Sequence, residues 1–272
     1  MKQGDQSTGI SRSAKGRGFG IIFLVLSGAL VAYIAIPIAN IATFVEPTTL
    51  LQSIAKPQIG NAFLLSLATA TISTLLLALF GIPLAYSIVR YHFPGKFLLR
   101  LIIIIPLILP PLASGTLLLG VFGPYTPLGR SLPIETTQSI FGIIIAQVYV
   151  SAPFMILLAQ SAFESVDESY EKVSRVLGMN RLQTFLRVSL PLAKTGIMVG
   201  FIMAWVRAVG ELGATMMMAY NPHTISIQIF EDNAIGGFGQ TIPGILLVIL
   251  LSVIVLAVFS VVRKGEGLKL GW

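Results

Sequence analysis

Residues 57–89 carry no charged side chain, and a stretch of that kind has few ways to fold. It is longer than the roughly 20 apolar residues that cross a hydrocarbon core, where the backbone must satisfy its own hydrogen bonds, so it is read as a membrane-spanning helix from about Phe63. The rest of the chain repeats the pattern. Of its 272 residues 55% are hydrophobic and only 11% charged, with a mean hydropathy of +0.87, well outside the range of soluble domains.

Apolar runs predict six spans at about 19–44, 63–89, 101–122, 139–163, 196–220 and 242–262. Between them lie polar segments: 46–60 with Glu46, Pro47, Lys56 and Pro57, a Pro94-Gly95 turn after Arg90, 123–138, 164–194, and the glycine-rich 221–240. The first run is too long for the apolar part of a signal peptide and is expected to remain as an uncleaved span. The third contains Pro106, Pro110 and Pro111, which lack an N–H and interrupt the helical ladder. The expected fold is all-α and polytopic: a basic tail at 1–18, one six-helix transmembrane domain at 19–262, and a second tail at 263–272.

An even number of spans puts both termini on one side. Fifteen of the 18 Lys and Arg fall on that side, against Lys56 and Arg130 on the other, with Arg207 inside a span. The positive-inside rule then predicts cytoplasmic termini in a cytoplasmic (inner) membrane. The net charge of +7 is thereby explained by topology, and nucleic acid is not an expected partner.

There is no cysteine, which excludes disulfides and thiolate chemistry, and His92 and His223 have no companion at a metal-ligand spacing. No segment fits a phosphate-binding G-x-x-x-x-G-K-[ST] loop, so no cofactor is expected in this chain and any ATP with its Mg²⁺ belongs to a partner.

The connection at 164–194 holds nine charges and is too long to lack structure. Ser165-Val-Asp-Glu168 fits a capping box that starts a helix. Val166, Tyr170, Val173 and Leu177 follow as one apolar stripe, and Gly178 stands where a left-handed residue ends the helix. Asn180 with Gln183 caps a second short helix carrying Leu182, Phe185 and Leu186, and Pro191 stops it or opens the next span. Such a pair suits either a membrane surface or a protein partner.

Gly178, Val188 ten residues on, and Leu190-Pro191 resemble the G-x9-I-x-LP core of the EAA loop of ABC importer permeases. In that family the loop supplies the coupling helix that docks on the ATP-binding subunit. The positions of its Glu-Ala-Ala are here Lys172, Val173 and Ser174, with Glu171 one residue earlier. Gly81-Ile-Pro-Leu-Ala-Tyr86, Arg90-Tyr-His-Phe-Pro-Gly-Lys96, Pro106-Leu-Ile-Leu-Pro-Pro111 and Trp205-Val-Arg-Ala-Val-Gly-Glu-Leu-Gly-Ala-Thr215 resemble the subgroup for molybdate, tungstate and sulfate. The resemblance implies a membrane homodimer, two ATP-binding subunits, an extracytoplasmic binding protein, and alternating access driven by ATP. It implies coupling residues at Glu171, Lys172, Val173, Ser174, Leu177, Gly178, Val188, Leu190 and Pro191.

Arg207 and Glu211 are costly inside a span, and at i and i+4 of a helix they can pair. They are either a self-neutralising structural pair or part of the path of a divalent oxyanion. Gly213, Thr215, Met216 and Pro110 are the other candidate path residues, although methionine also serves as packing. Two further function classes compete with the importer. A secondary transporter or channel would have no use for an EAA-like loop, and an intramembrane enzyme would need a constellation of acid, base or nucleophile that is not visible.

Overall fold

The structure, a computed structural model, describes residues 9–44 and 56–265. It divides into two compact units, residues 1–52 and 53–272. Among the described residues all regular structure is helical. Among the same residues five helices are long and apolar enough to cross a membrane, or six when one bent pair counts as a span. The tail residues 1–8 and 266–272, and most of the expected connection at 46–60, lie outside the described residues.

In the first unit, α1 (Gly9–Asn40) contains Pro37 and ends in a 3₁₀ turn, Ile41–Thr43. It begins ten residues before the expected span and runs through Lys15 and Arg17, so part of the expected tail is helix. It is apolar over Ile21–Asn40.

In the second unit α2 (Pro57–Arg90) starts with a proline in its first turn, where the missing N–H costs nothing. The expected turn follows it, with Gly95 at φ +86°. The third span is two helices, α3 (Lys96–Ile108) and α4 (Pro111–Phe122), bent by 119°. The cause is local. Pro111 holds Pro110 in an extended conformation, and neither residue has an N–H to carry the ladder across. A one-turn helix, α5 (Pro127–Ser131), interrupts the next connection.

Helix α6 (Ile140–Glu164) is central, packing against α2 and against α9 (Leu190–Val209). Small residues allow that approach. A Cβ on Gly196 would lie 2.5 Å from the Cβ of Ala162, so only glycine fits this contact. Gln147 of α6 is fully buried and answers its polarity internally: it accepts from Ser73 (3.0 Å) and donates to Thr69 (3.2 Å) and to the Ala208 carbonyl (3.1 Å).

The fifth span, expected at about 196–220 with Arg207 and Glu211 interrupting it, starts earlier, at Leu190 in α9; that helix ends at Val209, and after a break beside Glu211 comes α10 (Gly213–Met218). The polar, glycine-rich segment 221–240 holds a helix of its own, α11 (Ile225–Gly236), before α12 (Phe238–Gly265) begins. The Thr224 hydroxyl caps α11, and Ile225 N–H donates to Ser66 Oγ of α2 at 2.8 Å, so the fold supplies partners that the local sequence does not advertise.

Candidate functional site: an inverted helix and a broken span

The connection at 164–194 folds into two short helices, α7 (Glu168–Val176) and α8 (Arg181–Thr184), with a π turn at Phe185–Ser189 leading into α9. The start differs in detail from the expected capping box. Helix α6 persists to Glu164, so Ser165 closes it and donates to the Ala162 carbonyl, and Asp167 takes the cap by accepting from Ser169 N–H at 2.8 Å. That backbone hydrogen bond holds the Asp167 carboxyl below its ordinary value. The turn is as expected: Gly178 has φ +91°, and Met179 N–H to Ser174 O with Gly178 N–H to Arg175 O closes a Schellman motif. Asn180 and Gln183 cap each other's backbone at 2.9 and 3.0 Å, and Pro191 lies in the first turn of α9.

The burial of α7 is inside out. Its buried residues are Glu171 and Ser174, whereas Tyr170, Val173, Val176 and Leu177 are exposed, Val176 to 88%. Val166, expected as the first residue of the stripe, precedes the helix and is buried. Leu182 and Leu186 continue the exposed apolar surface. Lys172, at the position of the motif's glutamate, is exposed and makes only a surface pair with Glu168 at 3.6 Å. Val188 and Leu190 are half-buried, Leu190 against the core beside Phe185.

Beneath α7 the Glu171 carboxylate is enclosed. Its Oε1 accepts from Arg90 Nε (2.7 Å) and Ser189 Oγ (2.9 Å), and its Oε2 accepts from Tyr86 (3.0 Å). Arg90 Nη2 also donates to the carbonyls of Phe163 (3.0 Å) and Val166 (2.7 Å). Burial pushes the Glu171 carboxyl up, but the hydrogen bonds from Arg90, Ser189 and Tyr86 outweigh it and hold the group below its ordinary value. Tyr86 packs its ring against Phe163 and Phe185, with centroids 5.3 and 4.8 Å apart. Tyr86, Arg90, Thr184 and Ser189 were not candidates from sequence. Tyr86 and Arg90 share one face of α2 at i and i+4, but nothing local says that a glutamate 81 residues away from Arg90 will meet them.

The second candidate region is the break in the fifth span. Arg207 and Glu211 pair as expected, but they bridge the end of α9 rather than sharing its face. Glu211 is fully buried and also accepts from Ala214 N–H at 2.7 Å, so it serves the first turn of α10 as well. A Cβ on Gly213 would lie 2.8 Å from Pro111 Cβ and 3.0 Å from Leu112 N, so the break in the fifth span abuts the bend of the third, next to Pro110. Thr215 is buried with no hydroxyl partner among the described residues, and Ser114 of α4 is the same. Met216 is half-buried, while Met218 is fully buried among Leu118, Ala146 and Val150 and acts as packing. No group of three His, Asp or Glu able to hold a metal is gathered among the described residues.

Solved structures share this fold. A bacterial ABC transporter that imports the acidic polysaccharide alginate aligns with a TM-score of 0.69 at 18% identity, over 96% of this chain and 99% of that one. Sequence relatives are nearer. A probable molybdenum ABC transporter permease protein of Haloferax volcanii is 38% identical over 230 residues, 85% of each chain. The molybdate/tungstate transport system permease protein WtpB of Thermococcus kodakarensis is 37% identical over 252 residues, 91% of this chain and 96% of its own. Residues 77–265, which include both regions described above, match the family described as binding-protein-dependent transport system inner membrane component. The chain is a member of that family, the membrane permeases of ABC importers.

Proposed function

We propose that this chain is the membrane subunit through which a tetrahedral oxyanion, molybdate or tungstate before sulfate, crosses the cytoplasmic membrane by alternating access. Two copies form the core, a separate pair of ATP-binding subunits supplies ATP and Mg²⁺, and an extracytoplasmic binding protein delivers the anion. The names of the relatives at 37% and 38% identity support the anion class. The observation that carries the coupling is the inverted helix: α7 buries a carboxylate and a hydroxyl and leaves Tyr170, Val173, Val176 and Leu177 exposed. An apolar patch on a polar segment marks a docking surface. The distribution of basic residues supports a cytosolic position for it and for both termini, where an ATPase can reach it.

Glu171, Lys172, Val173, Ser174, Leu177, Gly178, Val188, Leu190 and Pro191 form the coupling region in this reading. Arg207, Glu211, Gly213, Thr215, Met216 and Pro110 lie along the path, where the two broken spans meet. ATPase contacts that differ between inward- and outward-facing states bias the equilibrium between them.

The test is Leu177→Asp in proteoliposomes holding the assembled transporter, with molybdate uptake and ATP hydrolysis followed together. A charge at the centre of the patch is expected to abolish ATPase assembly or to leave hydrolysis without uptake. ATP-driven uptake at the wild-type rate refutes the docking assignment, and uptake that persists without any ATPase refutes the importer reading.

A further inference from the structure

A nine-residue helix such as α7 is too short to hold itself in place, and its apolar side faces away from the spans. What fixes it lies on the polar side. One carboxylate, that of Glu171, receives donors from α2 (Tyr86 and Arg90) and from the π turn before α9 (Ser189). The same Arg90 guanidinium reaches on to the carbonyls of Phe163, at the end of α6, and of Val166, in the turn that follows it. Four elements therefore meet at one ion pair, with both side chains less than a tenth exposed. Ser174 adds a hydroxyl contact to Thr184 of α8 at 2.9 Å, and Phe185 closes the ring cluster above Tyr86. A buried pair with this many partners resists separation, since moving one member away leaves an uncompensated charge.

We propose that Glu171 is a positioning residue, not a docking one, and that with Arg90 it forms the joint that makes α7 and the adjoining ends of α2, α6 and α9 move as one rigid body. The proposal rests on the importer reading, in which an ATPase pulls on the exposed face of α7. The pull then reaches three spans at once rather than being absorbed by bending of the loop. Opposite faces of one helix divide the work: Val173, Val176 and Leu177 are grasped, and Glu171 and Ser174 hold on.

The chain has no cysteine, so paired labels can be introduced cleanly at Ser169→Cys and His92→Cys, both exposed positions outside the docking face. The transporter is assembled with one labelled and one unlabelled copy, and the label separation is measured by pulsed electron spin resonance without nucleotide and with ATP held by a hydrolysis-deficient ATPase. A single narrow separation, unchanged between the two states, is expected. With Glu171→Ala the distribution is expected to broaden or shift on ATP binding, and anion uptake per ATP hydrolysed to fall about tenfold, with ATPase still co-purifying. Glu171→Gln, which keeps an oxygen toward Arg90, is expected to lie between. A separation that changes with ATP in the otherwise wild-type chain overturns the proposal, as does unchanged uptake per ATP in Glu171→Ala. If Glu171→Ala does not assemble, the label measurement on the wild-type background still decides. Failure of the importer reading looks different: uptake would then persist without any ATPase.

Discussion

Two arginine–glutamate pairs flank α9, one beside its first turn and one spanning its end, and they are built in opposite ways. Arg90 and Glu171 are 81 residues apart, both enclosed, and share partners from several elements. Arg207 and Glu211 are four residues apart, and the arginine side chain is 26% exposed while the glutamate is 1% exposed. The first pair exists only when the tertiary fold has brought α2, α6, α7 and the start of α9 together, so it reports on the architecture. The second forms wherever the end of α9 forms, and its task is local: it keeps a break in an apolar span from leaving a bare carboxylate and an unsatisfied N–H.

This contrast can be broken by substitution. Arg90→Ala is expected to have the largest effect, a loss of about 3–5 kcal/mol of stability, because it strands Glu171 and frees two carbonyls; thermal unfolding of the detergent-solubilised protein would show it. Arg207→Ala is expected to cost less, about 2 kcal/mol, since the side chain is partly exposed and Glu211 retains Ala214 N–H, but to reduce anion uptake far more than Arg130→Ala at equal expression. Equal losses for Arg90→Ala and Arg207→Ala would remove the distinction. Acid sharpens it. The folded state holds Glu171 below its ordinary value of 4.5, so the unfolded chain takes up the proton first as pH falls. The stability gap between wild type and Glu171→Gln is therefore expected to be constant from neutral pH down to the region of that ordinary value, and to close as pH falls further, through the folded value. The smallest effect belongs to Lys172→Ala, within about 0.5 kcal/mol, because its pair with Glu168 is exposed on both sides.

Much of this arrangement is legible in the residues. Long uncharged runs mark the spans, Pro110 and Pro111 mark the bend, Gly178 marks the end of α7, and Asn180 with Gln183 marks the start of α8, because each acts through backbone chemistry within a few positions. What sequence does not reveal depends on distant partners. The sequence offers Ser165 as the cap of α7, but α6 extends to Glu164 and claims it, which leaves the cap to Asp167. An apolar stripe on α7 is visible, but the side that turns inward is decided by Tyr86 and Arg90, which lie on another helix. The end of α9 at Val209 follows from the competing use of Glu211 by Arg207 and by α10, and α11 depends on Ser66, far upstream.

The outward face of α7 and α8 carries a consequence for the life of the subunit before assembly. In the docking reading proposed above, a lone copy would leave Tyr170, Val173, Val176, Leu177 and Leu182 open to water, the kind of signal that chaperones and proteases read in damaged proteins. Synthesis in excess of the ATPase would then be self-limiting, with surplus copies cleared rather than stored, and the ratio of the two subunits would be set by degradation as much as by expression.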